Sequence, residues 1–230
     1  MATGLLGKKI RMTQVFDAEG RMVSVTAIEA GPCFVLDIKE NQPPKIRLGF
    51  QPMKESRTRK SELGFFKKIN IPPLRFVREL PLGDYKDYKV GQEIKVDIFK
   101  EGDYVNVVGT SIGKGFQGGV KRWHWKGGNR THGSTSHRRA GSIGSSTTPG
   151  RTIRGHHMPG HMGNERVTVK NLKIVKVDAD SNLLLLKGAV PGFKSNYVIL
   201  KKSIKKAKAV AGFPKADAKT GAKPEAKKKK

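Results

Sequence analysis

The chain has 230 residues and a formal net charge of +27, from 46 Lys and Arg against 19 Asp and Glu. A charge of this size favours a polyanionic partner, and the longest apolar runs are far too short to span a bilayer. The first residues lack the apolar stretch of a secretory signal, so we expect no export. The one cysteine, Cys33, leaves no partner for a disulfide within this sequence.

Alternating apolar and polar residues predict strands in much of the chain outside its middle. The predicted strands are residues 22–30, 92–99, 104–111, 166–178, 182–188 and 196–202. Turn-forming residues separate them, and short strands at this spacing are typical of a small closed antiparallel β-barrel. Residues 51–75 are basic and irregular, with one helical turn expected near residues 62–68.

Most of the excess positive charge lies in one internal segment and one terminal run. Residues 104–164 contain nine Lys and Arg, all six histidines, both tryptophans and no acidic residue. The last thirty residues contain twelve lysines and two acidic residues, and this low-complexity composition predicts a disordered tail. The lysine run has two open interpretations, a solvated tail and a direct contact with nucleic acid.

The middle segment has too few apolar side chains to fold by itself. Residues 109–163 contain fourteen glycines and nine large apolar side chains, whereas the shorter stretch 166–200 contains sixteen. Ordering a backbone costs free energy that burial must offset, so this segment is either disordered or ordered by a partner. A loop of this length within a compact domain is usually functional.

These observations divide the chain into three parts. We predict a mainly β globular domain of residues 1–120 and 165–203, with the basic insertion at about 51–75. An extended Gly-, His- and Arg-rich loop follows at 121–164, and a lysine-rich tail at 204–230.

The composition of the loop favours RNA as the partner. Lys and Arg donate to phosphates, flat rings stack on unpaired bases, and glycines allow close approach of the backbone. A membrane surface would favour a basic amphipathic helix, for which this segment has no pattern. The candidate RNA-binding residues are Lys114, Lys121, Arg122, Trp123, Trp125, Lys126, Arg130, His132, His137, Arg138, Arg139, Arg151, Arg154, His156, His157 and His161.

Other functions have weaker support in the sequence. The histidines of residues 156–161 could bind zinc, but the cysteine is remote and no carboxylate is near. Residues 109–119 lack the spacing of a phosphate-binding P-loop. A metal-dependent nuclease or a local Ser-His-Asp triad would need carboxylates that this segment does not contain. A DNA-compacting protein with lysine tails would not explain the clustered Gly, His and Trp residues. We therefore predict no enzyme activity, no metal and no cofactor.

Several motifs resemble those of one known family. The stretch "FKEGDYVNVVGTSIGKGFQGGVKR" (99–122) resembles the signature of the universal large-subunit ribosomal protein L-three family. Further matching motifs, in the family's order, are "GLLGKKIRMTQVF", "GSIG" with "TPGR", "MPGHMGNERVTVKNL" and "NLLLLKGAVPG". The resemblance covers roughly residues 3–202, and the length is of the bacterial type.

The resemblance implies a six-stranded barrel similar to that of translation factors, with a loop that penetrates large-subunit (23S-type) rRNA. It also implies a structural role in the large subunit, action early in subunit assembly, and contacts with neighbouring large-subunit proteins in the cytoplasmic ribosome. No membrane contact and no homo-oligomer are expected. By motif, the loop tip that approaches the peptidyl-transferase centre is Gly144, Ser145, Ser146, Thr147 and Thr148.

The sequence departs from the family pattern at three positions. Arg11 replaces a usual glycine, and Pro159 replaces a usual alanine. Thr147 stands where some relatives have a glutamine that is sometimes modified, which puts such a modification in doubt here. The tail after about Lys202 has no family counterpart.

Overall fold

The computed structural model describes residues 4–17, 19–40, 43–81 and 88–203, and the predicted tail at 204–230 lies outside these ranges. The helices are α1 (Lys60–Lys68) and α2 (Gly119–Trp123), and 3-10 turns occupy Glu55–Arg57 and Val96–Ile98. No helix in the described ranges is long and apolar enough to cross a membrane. The strands are β1 (Gly4–Phe16), β2 (Met22–Ala30), β3 (Cys33–Lys39), β4 (Lys45–Pro52), β5 (Leu74–Pro81), β6 (Glu93–Ile94), β7 (Tyr104–Thr110), β8 (Gly115–Gln117), β9 (Gly160–Met162), β10 (Arg166–Asp178), β11 (Leu183–Lys187) and β12 (Tyr197–Lys202).

Six antiparallel strands pair in a closed ring. Their order is β1-β12-β7-β10-β11-β2, and β2 pairs back to β1. Alternate residues of each strand face the interior, because successive side chains of a strand point to opposite sides. The fully buried side chains that follow this period include Val105, Val107, Leu184, Leu186, Val198 and Leu200. The prediction of a mainly β fold is confirmed, and β2, β7, β10, β11 and β12 match the predicted strands to within one residue.

A second sheet packs beside the ring, and the sequence did not predict it. Its strand order is β5-β4-β3-β6. Val35 and Leu48 join the core of the ring, whereas Leu36 packs on the other side with Phe66 of α1. The helical turn expected in residues 51–75 is present as α1, but the ends of that range are ordered as parts of β4 and β5.

The predicted strand at residues 92–99 is wrong for most of its length. Only Glu93–Ile94 pairs, with β3, and the chain then forms a 3-10 turn in which the Phe99 N–H donates to the Val96 carbonyl at 2.9 Å. The turn buries Val96 and Phe99 together. The alternating apolar residues that predicted a strand here are explained instead by a very short strand followed by a turn with buried side chains.

Both ends of the predicted loop contain regular structure. Helix α2 overlaps its start at Gly119–Trp123, where the sequence predicted no helix. Strand β9 lies near its end and pairs with β8. Between them, residues 124–159 contain neither helix nor strand, and most of their side chains are exposed.

Candidate nucleic-acid interface

The loop leaves the ring on a paired stem. Beyond the last pair of β7 and β10, the Ser111 N–H donates to the Glu165 carbonyl at 2.8 Å. The Lys114 N–H donates to the Met162 carbonyl at 2.9 Å, and strands β8 and β9 continue the antiparallel pairing as far as Gln117. The ring therefore holds the two ends of the loop side by side.

Four residues from the two sides of the loop form a cluster at the top of this stem. The Arg122 Nη1 and the Trp123 Nε1 both donate to the Met158 carbonyl, each at 2.8 Å. The His157 ring stacks on Trp123 with centroids 4.0 Å apart and an angle of 1° between the planes. The Arg122 guanidinium carbon lies 4.9 Å from the centre of the Trp123 ring. These contacts join positions more than thirty residues apart, and we call Arg122, Trp123, His157 and Met158 the stem clamp.

Two glycines allow close contacts at the stem clamp and at the neighbouring Trp125. A Cβ at Gly160 would overlap the Arg122 guanidinium, and a Cβ at Gly119 would overlap the ring of Trp125. The backbone at these positions is therefore in direct contact with the side chains of functional candidates, and an alanine would displace them.

A cavity of about 580 Å³ opens beside the stem clamp. Its lining includes Lys9, Lys114, Arg122, Trp123 and His161. Lys9 is buried, and its ammonium donates to the carbonyls of Val190 at 2.8 Å and Gly192 at 2.9 Å. Burial lowers the pKa of this amine from its ordinary value. Lys9 thus ties strand β1 to the 190–192 turn beneath the loop.

A second cavity, of about 620 Å³, lies further out along the loop. Trp125, Arg139, His156 and His157 contribute to its lining, together with glycine and serine residues. The outgoing side of the loop folds back on itself there, and the Gly128 N–H donates to the His137 carbonyl at 3.1 Å. Nδ1 of His137 lies 2.8 Å from the carbonyl oxygen of Asn129. The two cavities bring together eight of the sixteen predicted residues.

The other predicted residues are exposed along the loop and are not gathered in one place. They are Lys121, Lys126, Arg130, His132, His137, Arg138, Arg151 and Arg154. Within the described residues, no group of three or more His, Cys, Asp and Glu lies close enough to hold a metal ion. A spread of cations without carboxylates suits an extended anion better than a compact one.

The predicted tip is exposed, and two hydrogen bonds join it to residues just before and just after it. The Ser142 hydroxyl donates to the Gly144 carbonyl at 3.0 Å, and the Gly150 N–H donates to the Ser146 carbonyl at 3.2 Å. The backbone φ of Gly150 is +65°, in the left-handed region that favours glycine. Ser145 to Thr148 therefore present small hydroxyl side chains to the surroundings.

Sequence reasoning missed three contributors to this surface. The Met158 carbonyl accepts both bonds of the stem clamp, and a backbone acceptor leaves no signal in the sequence. Gln117 donates from its side chain to the Lys114 carbonyl. Phe116 is 77% exposed in the middle of β8, and an exposed aromatic ring between glycines and lysines is a signal that could have identified it.

Comparison with known proteins gives a consistent result. The family model described as "Ribosomal protein L3" matches residues 84–182. A protein of Pelotomaculum thermopropionicum, named "Large ribosomal subunit protein uL3", is 50% identical over 210 residues, which are 89% of this chain and 99% of the relative. Proteins with the same name from Syntrophomonas wolfei and Brachyspira hyodysenteriae are 49% and 45% identical. The matches cover 87% and 88% of this chain and 96% and 95% of those relatives.

Proposed function

The chain belongs to the uL3 family of large ribosomal subunit proteins, which are structural and not enzymatic, and from this premise we propose that its loop binds large-subunit (23S-type) rRNA. One observation carries the proposal. Residues 104–164 contain no Asp or Glu, and eight of their nine Lys and Arg side chains are exposed. Phosphates can approach such a surface without repulsion. The Lys and Arg side chains can then replace the counterions of the phosphates along the whole length of the loop.

The stem and the outer loop have different parts in this proposal. The stem clamp fixes the direction in which the loop leaves the ring, because its contacts join both sides through hydrogen bonds and ring stacking. The outer residues take their final shape against RNA, since few of their side chains are buried. The proposed RNA-binding residues are the sixteen predicted from the sequence, and Phe116 is added to them as a stacking surface.

We propose that the tip, Gly144 to Thr148, lies near the peptidyl-transferase centre. Small hydroxyl side chains support this placement, because they can fit between nucleotides and donate to phosphates or sugars without a hydrophobic core. The exposed positions of these residues leave them available for such contacts.

The remaining expectations concern the whole protein. We propose that the closed ring is a small barrel of the translation-factor type and that residues 1–120 and 165–203 form one globular domain. The protein acts early in assembly of the large subunit, contacts neighbouring large-subunit proteins, and resides in cytoplasmic ribosomes without forming homo-oligomers. Nothing in these proposals requires a cofactor.

A charge reversal in the loop tests the proposal. Arg154 is exposed on the returning side of the loop, and Arg154→Glu would place an anion among phosphates. The matched control is Arg21→Glu, which makes the same charge change at the turn after β1, where Arg21 pairs with Glu19 at 2.9 Å. Each variant competes with the wild type for incorporation into reconstituted large subunits. We expect Arg154→Glu to be depleted and Arg21→Glu to be incorporated like the wild type. Equal incorporation of both variants would contradict the proposal.

A further inference from the structure

A second basic surface lies on the globular part, away from the residues predicted to bind RNA. It occurs where β5 of the second sheet meets strands of the ring. A cavity of about 190 Å³ opens at this junction, and its lining includes Phe76, Arg78, Thr110, Arg166 and Tyr197. We call it the junction cleft.

An aromatic pair holds one cation at this cleft. The rings of Phe76 and Tyr197 stack with centroids 4.8 Å apart and 12° between their planes. The Tyr197 hydroxyl donates to Oε1 of Gln51 at 2.5 Å, which fixes this ring. The Arg78 guanidinium carbon lies 4.8 Å from the centre of the Phe76 ring, a cation–π arrangement. Arg78 donates one bond, from Nη1 to the Val77 carbonyl at 2.8 Å, so further N–H groups remain for a ligand.

The cations of the junction cleft differ from two cations of the second sheet that are paired with a carboxylate. Arg47 and Lys39 both pair with the Glu79 carboxylate, at 2.9 and 2.7 Å. In the part of the chain that the structure describes, neither Arg78 nor Arg166 has a carboxylate within ion-pair distance. Two arginines without counterions beside one small cavity favour an anionic ligand, and guanidinium groups suit phosphate in particular.

The junction cleft is separate from the cavity beside the stem clamp. Arg166 pairs in register with Thr110, and the next pair towards the loop is Glu165 with Ser111. Successive side chains of paired strands point to opposite faces. Thr110 and Arg166 accordingly line the junction cleft, whereas Ser111 and Glu165 line the other cavity.

We propose that the junction cleft is a second RNA contact, in which Arg78 and Arg166 bind the phosphodiester backbone of an rRNA strand. The Phe76–Tyr197 pair keeps Arg78 in position and offers an apolar edge to the adjoining sugar or base. This inference rests on the proposed function, since it takes rRNA as the anion. Arginines beside aromatic rings fit an RNA strand better than an acidic protein, because both charge and flat surfaces are then used.

The test measures binding of the full-length protein to large-subunit rRNA at a series of salt concentrations. Arg78→Ala and Arg166→Ala each remove one exposed cation from the junction cleft, and Arg21→Ala removes one exposed cation elsewhere. The slope of log affinity against log salt should become shallower by about 0.7–0.9 for each phosphate that the protein no longer binds. We expect this change in the two cleft variants and no change in Arg21→Ala. Thermal unfolding checks that each variant is folded.

A second variant separates charge from geometry. Phe76→Leu keeps both arginines but removes the ring beneath Arg78, so we expect several-fold weaker binding with an unchanged slope. If the wild type binds large-subunit rRNA and the cleft variants keep its slope and affinity, the inference is wrong and the proposed function stands. If the wild type binds large-subunit rRNA no better than an unrelated RNA of equal length, both the proposed function and the inference fail.

Discussion

Lys9 offers a strong test of how the globular part supports the loop. Its buried ammonium donates to two carbonyls of the 190–192 turn, at 2.8 and 2.9 Å, beneath the stem. Lys9→Met keeps an unbranched side chain in place but removes the donor. Both carbonyls are then without a charged hydrogen-bond partner in a largely buried setting.

The size of the effect follows from these two bonds. A hydrogen bond from a charged donor contributes about 1.5–3 kcal/mol to stability, so the pair contributes about 3–6 kcal/mol if nothing replaces it. Lys9 also lines the cavity beside the stem clamp, and water there can bond to the carbonyls. We therefore expect Lys9→Met to lower the free energy of unfolding by about 2–3 kcal/mol.

Urea denaturation measures this decrease in stability. With a urea slope of about 2 kcal/mol per molar, the midpoint should fall by about 1 M. The matched control is Lys170→Met, which removes the same charge from an exposed position on β10 and should leave the midpoint nearly unchanged. A Lys9→Met protein that unfolds at the same urea concentration as Lys170→Met would refute the reasoning.

Three further predictions concern a buried thiol, an ion pair and the loop tip. Burial raises the pKa of the Cys33 thiol to about 12. Iodoacetamide at pH 8 should therefore label this thiol in urea but not in the native protein. Rapid labelling of the native protein would contradict the burial of Cys33. Hydrogen bonds from Lys39 and Arg47 lower the pKa of the Glu79 carboxyl from 4.5 to about 2. The ionised carboxylate therefore stabilises the fold above pH 4.5, and this contribution to stability is lost as the pH falls towards 2. The stabilities of the wild type and Glu79→Gln, measured by urea denaturation, should therefore differ at pH 6 and converge near pH 2, and a constant difference would contradict the assignment. Ser146→Arg should leave subunit assembly intact but alter the rate of peptide-bond formation or inhibitor binding, and normal values of both would contradict the tip placement.

One strand that the sequence predicted well, β7, has a buried face at alternate positions over its first four residues. In β7, the buried Val105 and Val107 alternate with the half-buried Tyr104 and Asn106, and β2 and β10 were predicted at their observed bounds. The outer positions in this part of β7 are less buried, so the alternation that marks a strand remains visible there.

Two strands that the sequence missed, β1 and β3, have stretches that are covered on both faces. Gly4 to Gly7 of β1 are buried without interruption. In β3, Val35 belongs to the core of the ring, and its neighbour Leu36 packs against α1. A strand between two layers needs apolar residues on both sides, and the alternation that identifies a strand is then absent.

The candidate interface was predictable in kind but not in arrangement. The absence of carboxylates and the frequency of Arg, His and Trp identified the segment, because these follow from composition and charge alone. The contacts of Arg122 and Trp123 with Met158 and His157 depend on how the chain returns along the stem. The junction cleft was missed for the same reason, since Arg78 and Arg166 come from strands of different sheets.

The central claim is that the ring folds alone, whereas the outer loop is ordered by RNA. Between residues 124 and 159, five backbone N–H groups donate to backbone carbonyls in the structure: those of His124, Trp125, Gly128, Gly150 and His156. Hydrogen exchange of the free protein and of its complex with large-subunit rRNA tests the claim most directly. We predict slow exchange in β7, β10 and β12 of the free protein, fast exchange in residues 124–159, and slow exchange there once RNA is bound. Equally slow exchange in the ring and the loop of the free protein would contradict the claim.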